Sequence, residues 1–309
     1  MVDGLRVRPP AEADAEAVTE LVIAFDVDEF GAPDFELDDL VSDWASPGLD
    51  LSQDAWLVEA PDGRLAAYGV LYFDDDVDVF VHPDFRGRGI GRELLGLTER
   101  RALERAEPGK RVLLGQALST RNGAGREILT RAGYSPVRTY WRMLLRLDMP
   151  PPEPSWPEGV VVRTFDPERD TKAVHELIQR AFADNERHVD EPYAEWVAGN
   201  IDREAFDPTL WFLAVAGEEI VGSIVCPAYE SEGWVRQLAV ARAWRGRGVG
   251  RALLLKALSE FRRRGRPHAA LVVDSWNRTG AKELYERAGM RVEREHTRFE
   301  KELRPAAGP

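Results

Sequence analysis

The chain has 309 residues, too many for one ordinary core and suited to two domains of about 150 residues each. Hydrophobic residues make up 44% and charged residues 31%, and no apolar run approaches the ~18 residues of a membrane span, so a soluble globular protein with no membrane partner is expected. The net charge of -13 is unevenly spread: residues 11–84 hold 21 acids against one base, Arg64, whereas residues 85–150 hold 6 acids and 14 bases, which excludes nucleic acid as an obvious partner of the front half.

The opening MVDGLRVRPPAEAD lacks the apolar core of a secretion signal. The single cysteine, Cys226, excludes an intramolecular disulfide and fits a reducing, cytoplasmic setting. LRVRPPAEADAEAVTELVIAF (Leu5–Phe25) reads as a short strand ending in Arg, a turn and a helix. A polar helical stretch follows. WLVEAPDGRLAAYGVLYF (Trp56–Phe73) gives two apolar strands around a Gly turn, the pattern of a hairpin. A third strand, VDVFV (Val77–Val81), feeds the loop RGRGIGR (Arg86–Arg92) and then a helix, GRELLGLTERRALERA; a strand, a helix and a final strand complete this set.

After DMPPPEPSWPEG (Asp148–Gly159), whose five prolines can neither continue a helix nor donate to a sheet, the same order begins again. VVVRTFDPERDTKAVHELIQRAF (Val160–Phe182) matches the opening, WFLAVAGEEIVGSIVCPAY (Trp211–Tyr229) matches the hairpin, and VRQLAV (Val235–Val240) feeds a second loop, RGRGVGR (Arg245–Arg251). Arg8 to Trp56 and Arg163 to Trp211 are equally spaced, so the copies are in register. The predicted organisation is a first α/β domain at 1–147, a linker at 148–158, a second domain at 159–304 and a frayed tail at 305–309.

A glycine loop between strand and helix is a phosphate-site candidate, because exposed N–H groups and the positive end of the helix dipole favour an anion. Its spacing fits neither a P-loop, since Arg251 and Ala252 stand where Lys and Ser or Thr are needed, nor a Rossmann loop, since Gly246, Gly248 and Gly250 alternate. QLAVARAWRGRGVGRALL (Gln237–Leu254) instead resembles the acetyl-CoA signature of the GNAT superfamily of N-acetyltransferases, Arg/Gln-x-x-Gly-x-Gly/Ala, at Arg245, Gly248 and Gly250, with Arg86, Gly89 and Gly91 matching in the first copy. NRTGAKELYERAGM (Asn277–Met290) matches the second GNAT signature at Asn277, Ala281, Leu284, Tyr285 and Gly289, whereas the first copy carries Arg121 and Leu129 where Asn277 and Tyr285 stand.

The resemblance implies two tandem GNAT-type domains, each a mixed, mainly antiparallel sheet flanked by helices, with acetyl-CoA as cofactor. It implies that Arg245, Gly246, Arg247, Gly248, Val249, Gly250 and Arg251 hold the CoA pyrophosphate, that Asn277 also binds the cofactor, and that the backbone of Leu238, Ala239 and Val240 pairs with the pantetheine arm. Arg86, Gly87, Arg88, Gly89, Ile90, Gly91 and Arg92, with Val81, are the first copy's counterparts. It implies Tyr285 as the acid that protonates the leaving thiolate, a task Leu129 cannot perform, so the first copy is expected to be non-catalytic.

The acceptor amine must be neutral to attack, a deficit of roughly 4.6 kcal/mol at pH 7 for a lysine-like amine and about 1 kcal/mol for an α-amino-like one. Glu232 and Glu230, just before the third strand, are candidate bases beside a chain of water molecules, and Gln237 stands where the family often has an acid. Cys226, in an apolar strand, reads as core. The five histidines show no metal-ligand spacing, with His188 and His296 as possible pocket walls, and Tyr193 and Trp196 as possible acceptor contacts or lid packing. The degenerate first copy, the intact second one, AFADNERHVDEPYAEW and FDPTLWFLAV together are similar to the mycothiol synthase group of actinobacterial acetyltransferases. The expectation is acetyl transfer to a primary amine of a small molecule, by direct attack in a ternary complex, by a monomer or homodimer. An aminoglycoside-directed or protein acetyltransferase and a non-catalytic CoA-binding regulator are the alternatives.

Overall fold

The structure is a computed structural model that describes residues 4–33, 35–46, 48–73, 75–184, 190–276 and 280–306. In the first repeat the elements are β1 (Arg6–Arg8), α1 (Ala15–Phe30), α2 (Leu37–Trp44), α3 (Leu51–Asp54), β2 (Ala55–Glu59), β3 (Leu65–Leu71), β4 (Val77–Val81), α4 (Ile90–Arg105), β5 (Val112–Ser119), α5 (Gly123–Arg131) and β6 (Ser135–Arg146). The second repeat follows with β7 (Val160–Thr164), α6 (Pro167–Phe182), α7 (Tyr193–Asn200), β8 (Phe212–Ala216), β9 (Glu219–Val225), β10 (Gly233–Val235), β11 (Gln237–Val240), α8 (Val249–Arg263), β12 (His268–Asp274), α9 (Ala281–Arg287) and β13 (Arg291–Arg304). The predicted hairpins and glycine-loop helices are all present. The predicted strand Val235–Val240 is not continuous: it breaks at Arg236 into β10 and β11.

Two compact units form, and their limits are not those of the repeats. Unit 1 holds the chain up to Thr139 and again from His296 onward; unit 2 holds Tyr140–Glu295. Within unit 1, β1–β2–β3–β4 make an antiparallel sheet, and the His296–Arg304 part of β13 pairs antiparallel with β5. Within unit 2, β7–β8–β9–β11 do the same, and the Tyr140–Arg146 part of β6 pairs antiparallel with β12, which also pairs in parallel with β10. Each unit therefore carries the greater part of the other repeat's last strand, where the linker-based division at 148–158 gives each repeat its own. The reason is visible in the cores: Phe299 is buried with Leu114, Leu118 and Tyr134 of unit 1, and Met143 and Leu147 are buried with Leu253, Leu271 and Met290 of unit 2. The proline stretch is anchored as well, with Trp156 packed on the unit 2 core.

The arginine that ends the first strand of each repeat has a structural task. Arg163 grips Asp170 of α6 with both terminal nitrogens at 2.5 and 2.9 Å, and Arg8 grips Asp14 at 2.7 Å twice. Burial alone would raise the Asp170 carboxyl, but Arg163 and Arg169 hold it down at about 2. Asp166 caps α6 by accepting from the Glu168 N–H, and Pro167 supplies the first-turn position that needs no donor.

The exchanged strand makes unit 1 depend on residues near the chain's end. Phe299→Ala is expected to destabilise the protein by about 3–5 kcal/mol, as deletion of a buried aromatic does, and to lower the unfolding transition of unit 1. Urea unfolding followed by hydrogen exchange at β5 measures this; an unchanged unit 1 transition would refute the dependence.

Candidate active site

The break at Arg236 creates the site. β10 pairs with β12 through Gly233, Trp234 and Val235; after Val235 the strand leaves β12, the Arg236 N–H donates to the Val225 carbonyl at 2.9 Å, and β11 pairs only with β9. β12 runs on to Asp274. Between β11 and Leu271–Asp274 lies a cleft of about 910 Å³, bounded by the glycine loop, α9 and the end of α6. Its size falls within the range of ligand and cofactor sites.

Close packing holds the helix end against this cleft. A Cβ on Gly222 would stand 2.9 Å from Leu253 and Val249 of α8, and one on Gly250 would stand 3.1 Å from Leu284 of α9, so both glycines permit the approach of backbone to neighbour. Gly246 (φ 72°) and Gly248 (φ 91°) have left-handed backbone, a conformation that costs an L-residue about 1–2 kcal/mol. Gly248 caps α8 without a side-chain acceptor, and the first helical bond is Ala252 N–H to Gly248 at 3.0 Å. The N–H groups of the first turn thus face the loop, where an anion can accept from them.

The predicted cofactor residues divide into two sets. Leu238, Val240, Gly246, Gly248, Val249, Gly250 and Arg251 line the cleft, and Ala239 is buried beneath. Arg245 also borders it, but its guanidinium turns back to the Val240 carbonyl (3.2 Å), the Ala181 carbonyl (2.8 Å) and Asp184 (2.5 Å), fastening the end of α6 to the loop. Arg247 lies over the Trp244 ring at 5.1 Å. Asn277 and His188 lie outside the described residues.

Unit 1 repeats this geometry. Gly87 (φ 77°) and Gly89 (φ 81°) are left-handed, Arg86 ion-pairs with Asp28, Arg88 lies over Phe85 at 4.9 Å, Val81 and Ile128 flank Gly91, Ile90 is buried and Arg92 is exposed.

Tyr285 lines the unit 2 cleft from α9 and is only 8% exposed; burial pushes its hydroxyl up to about 12. Leu129 is buried among Leu114, Leu118 and Tyr134. Cys226 is wholly buried and burial raises its thiol, which disfavours the thiolate that a covalent route would need.

The candidate bases stand differently. Glu232 accepts from Arg142 at 2.8 Å and meets His268 Nε2 at 3.1 Å, and Arg142 also pairs with Glu293. It precedes β10, at the end away from the break, and does not border the cleft. Glu230 is exposed, and its carbonyl accepts from Arg266. Trp196 is fully buried and its indole N–H donates to Gln237 at 3.2 Å, so it packs the lid helix; Tyr193 is exposed beside His175. His296 belongs to unit 1, against Phe30, and not to the second copy's pocket, because the strand that carries it is exchanged. Tyr140, Arg236, Asp274 and Glu283 border the cleft without having been singled out in the sequence. Tyr140 comes from the first repeat's last strand, so only the fold brings it there. No group of three or more His, Cys, Asp or Glu suited to a metal occurs among the described residues, nor does a helix long and apolar enough to cross a membrane.

The comparisons with known proteins agree with this geometry. The model of the acetyltransferase (GNAT) family matches residues 16–132 and 171–290. A mycothiol acetyltransferase of Thermobispora bispora is 34% identical over 223 residues, covering 69% of this chain and 71% of that protein. One of Streptomyces griseus subsp. griseus is 36% identical over 241 residues, 74% of each. A solved GCN5-related N-acetyltransferase from Sphaerobacter thermophilus superposes with a TM-score of 0.87 at 36% identity, over 98% of this chain and 97% of that one. A tandem GNAT protein from the clavulanic acid biosynthesis pathway shares the fold, with a TM-score of 0.71 at 18% identity, over 97% and 99%. The chain thus belongs to the acetyltransferase (GNAT) family, as a tandem acyl-CoA N-acyltransferase that uses acetyl-CoA.

Proposed function

We propose that unit 2 transfers an acetyl group from acetyl-CoA to the primary amine of a small molecule, by direct attack with donor and acceptor bound together. The observation that carries this reading is Tyr285, a buried hydroxyl on the cleft wall at the place where unit 1 has Leu129. Acetyl-CoA supplies the activated thioester. The residues present fit it: a helix start with no side-chain cap, two left-handed glycines and Arg251 suit a pyrophosphate. The free edge of β11 turns N–H and C=O groups toward the cleft, where the amides of an extended chain can pair with them.

Tyr285 holds its proton throughout the neutral range and donates toward the departing sulfur. Cys226 offers no competing covalent route, since burial keeps it a thiol. Glu232 is committed to Arg142 and His268, so amine deprotonation falls to water, which suits an acceptor with an amine of low pKa better than a lysine-like one. The names of the two curated relatives favour an acceptor of the mycothiol-precursor kind.

Tyr285→Phe is expected to lower kcat about 10²- to 10⁴-fold, the usual contribution of a positioned acid, with little change in acetyl-CoA affinity. Because the folded-state value of Tyr285 is raised to about 12, the wild-type enzyme should show no alkaline loss of kcat from this group below about pH 11. Thiol release measured from pH 6 to 10.5 checks both; a Phe variant with wild-type turnover would sink the assignment.

The two loops separate the units. Gly248→Ala forces a left-handed alanine and is expected to weaken acetyl-CoA binding about 5- to 30-fold, whereas Gly89→Ala should leave kcat/KM within about twofold of wild type. Loss of turnover from Gly89→Ala alone would place the activity in unit 1.

A further inference from the structure

Unit 1 has a pocket of its own, of about 320 Å³, at the start of β4 rather than at its glycine loop. Just before β4, Asp76 bridges in parallel to Gly115 of β5; among the described residues β4 itself pairs with β3 and has no ladder to β5. In repeat register Asp78 stands where Gln237 stands in unit 2, so the opening corresponds to the break beside β11. Its wall is formed by Tyr72, Phe73, Asp76, Asp78 and Gln116, with Leu49 below.

The charged side chains that line this wall are the carboxylates of Asp76 and Asp78. Gln116 is 5% exposed, and its side-chain carbonyl oxygen is buried without a hydrogen-bond partner, a state that costs free energy until a donor arrives. The Tyr72 hydroxyl lies near Asp78 and Asp43, and burial, followed by the Asp78 charge, pushes it up. Burial, followed by the neighbouring Asp39, pushes the Asp43 carboxyl up. Asp76 is already neutralised by Arg298, whose two terminal nitrogens reach it at 2.5 and 2.9 Å.

We propose that this pocket binds a small organic cation bearing a primary or secondary ammonium group, held by Asp78 and the Gln116 carbonyl against the rings of Tyr72 and Phe73. An ammonium supplies several donors and a positive charge at once, and aromatic walls favour such a cation. An anion would meet the Asp78 carboxylate, and a neutral apolar molecule would leave the Gln116 carbonyl unpaired. A divalent metal is disfavoured because no group of three or more His, Cys, Asp or Glu suited to it occurs among the described residues. The excess of 21 acids over one base in residues 11–84 draws cations toward this unit. The site rests on unit 1's own residues and does not depend on the assignment of Tyr285.

Titration calorimetry of the full chain with putrescine and with butane-1,4-diol tests it. Wild type should bind putrescine saturably and the diol not at all. Asp78→Asn and Gln116→Leu should each weaken binding about tenfold or more with an unchanged melting temperature, while Glu12→Gln, at an exposed acid of the same unit, should bind as wild type. If Asp78→Asn fails to fold, Gln116→Leu alone decides. Absence of saturable putrescine binding, equal binding of the diol, wild-type affinity in the folded variants, or an equal loss in Glu12→Gln would each overturn the proposal.

Discussion

The site depends on one constraint: a strand cannot pair with two neighbours that diverge. Up to Val235 the third strand of the second repeat is bound to β12; from Gln237 it is bound to β9, and Arg236 is the residue where it changes partner. Backbone donors and acceptors demand partners, so the opened edge of β11 is chemically unfinished in a way that a continuous sheet would not be. The packing around it keeps the gap from closing. Gly222 lets α8 sit on the strand, Gly250 lets α9 sit on α8, and Trp196 ties the lid helix to Gln237. A cavity thus opens at the place where a helix start, a glycine loop and a buried phenol converge.

The duplication shows which parts of that arrangement are generic. Both glycine loops have left-handed glycines at matching positions, and in both the leading arginine is taken by an aspartate at or near the end of the first long helix, Asp28 or Asp184. This arginine was read from the sequence as a phosphate ligand, since a motif shows residue type and spacing but not the competing carboxylate about sixty positions away. Its observed contacts are those of a clamp. The second arginine of each loop lies over an aromatic ring, Phe85 or Trp244. What differs is the chemistry beyond the loop: a phenol on α9 in one unit, a leucine in a sealed core in the other, and a carboxylate-bearing pocket at the start of β4.

Local periodicity and the repeat made the elements legible, including both hairpins and both loop helices, because these depend on residues near in sequence. The exchange of last strands was not legible. β6 and β13 occupy equivalent places in their repeats, and either sheet could accept either strand by hydrogen bonding alone; side-chain fit decides, with Phe299 in one core and Met143 in the other. The same limit hid Tyr140 from the list of cleft residues and placed His296 in the wrong unit. It also hid the commitment of Glu232, whose partner Arg142 lies 90 positions earlier, across a proline-rich boundary that the sequence alone reads as separating two domains.

Burial of Tyr285 has two opposing effects on the acid role proposed for it. A phenol at about 12 facing a thiol of ordinary pKa near 8.5 would give up its proton only against roughly 5 kcal/mol, so in open solution the pair would remain a hydrogen bond. In the proposed reaction, however, the sulfur does not leave into open solution. It leaves inside the same cleft, where loss of hydration raises a thiol as it raises a phenol, and Cys226 shows the direction of that effect within this core. The two values are thereby drawn together at the moment the carbon–sulfur bond breaks, and the hydroxyl stabilises the emerging charge without having been ionised beforehand. A more exposed tyrosine would be the stronger acid at rest and the poorer match in the cleft, since the water that lowered its own pKa would also hydrate the thiolate and leave less for the hydroxyl to stabilise.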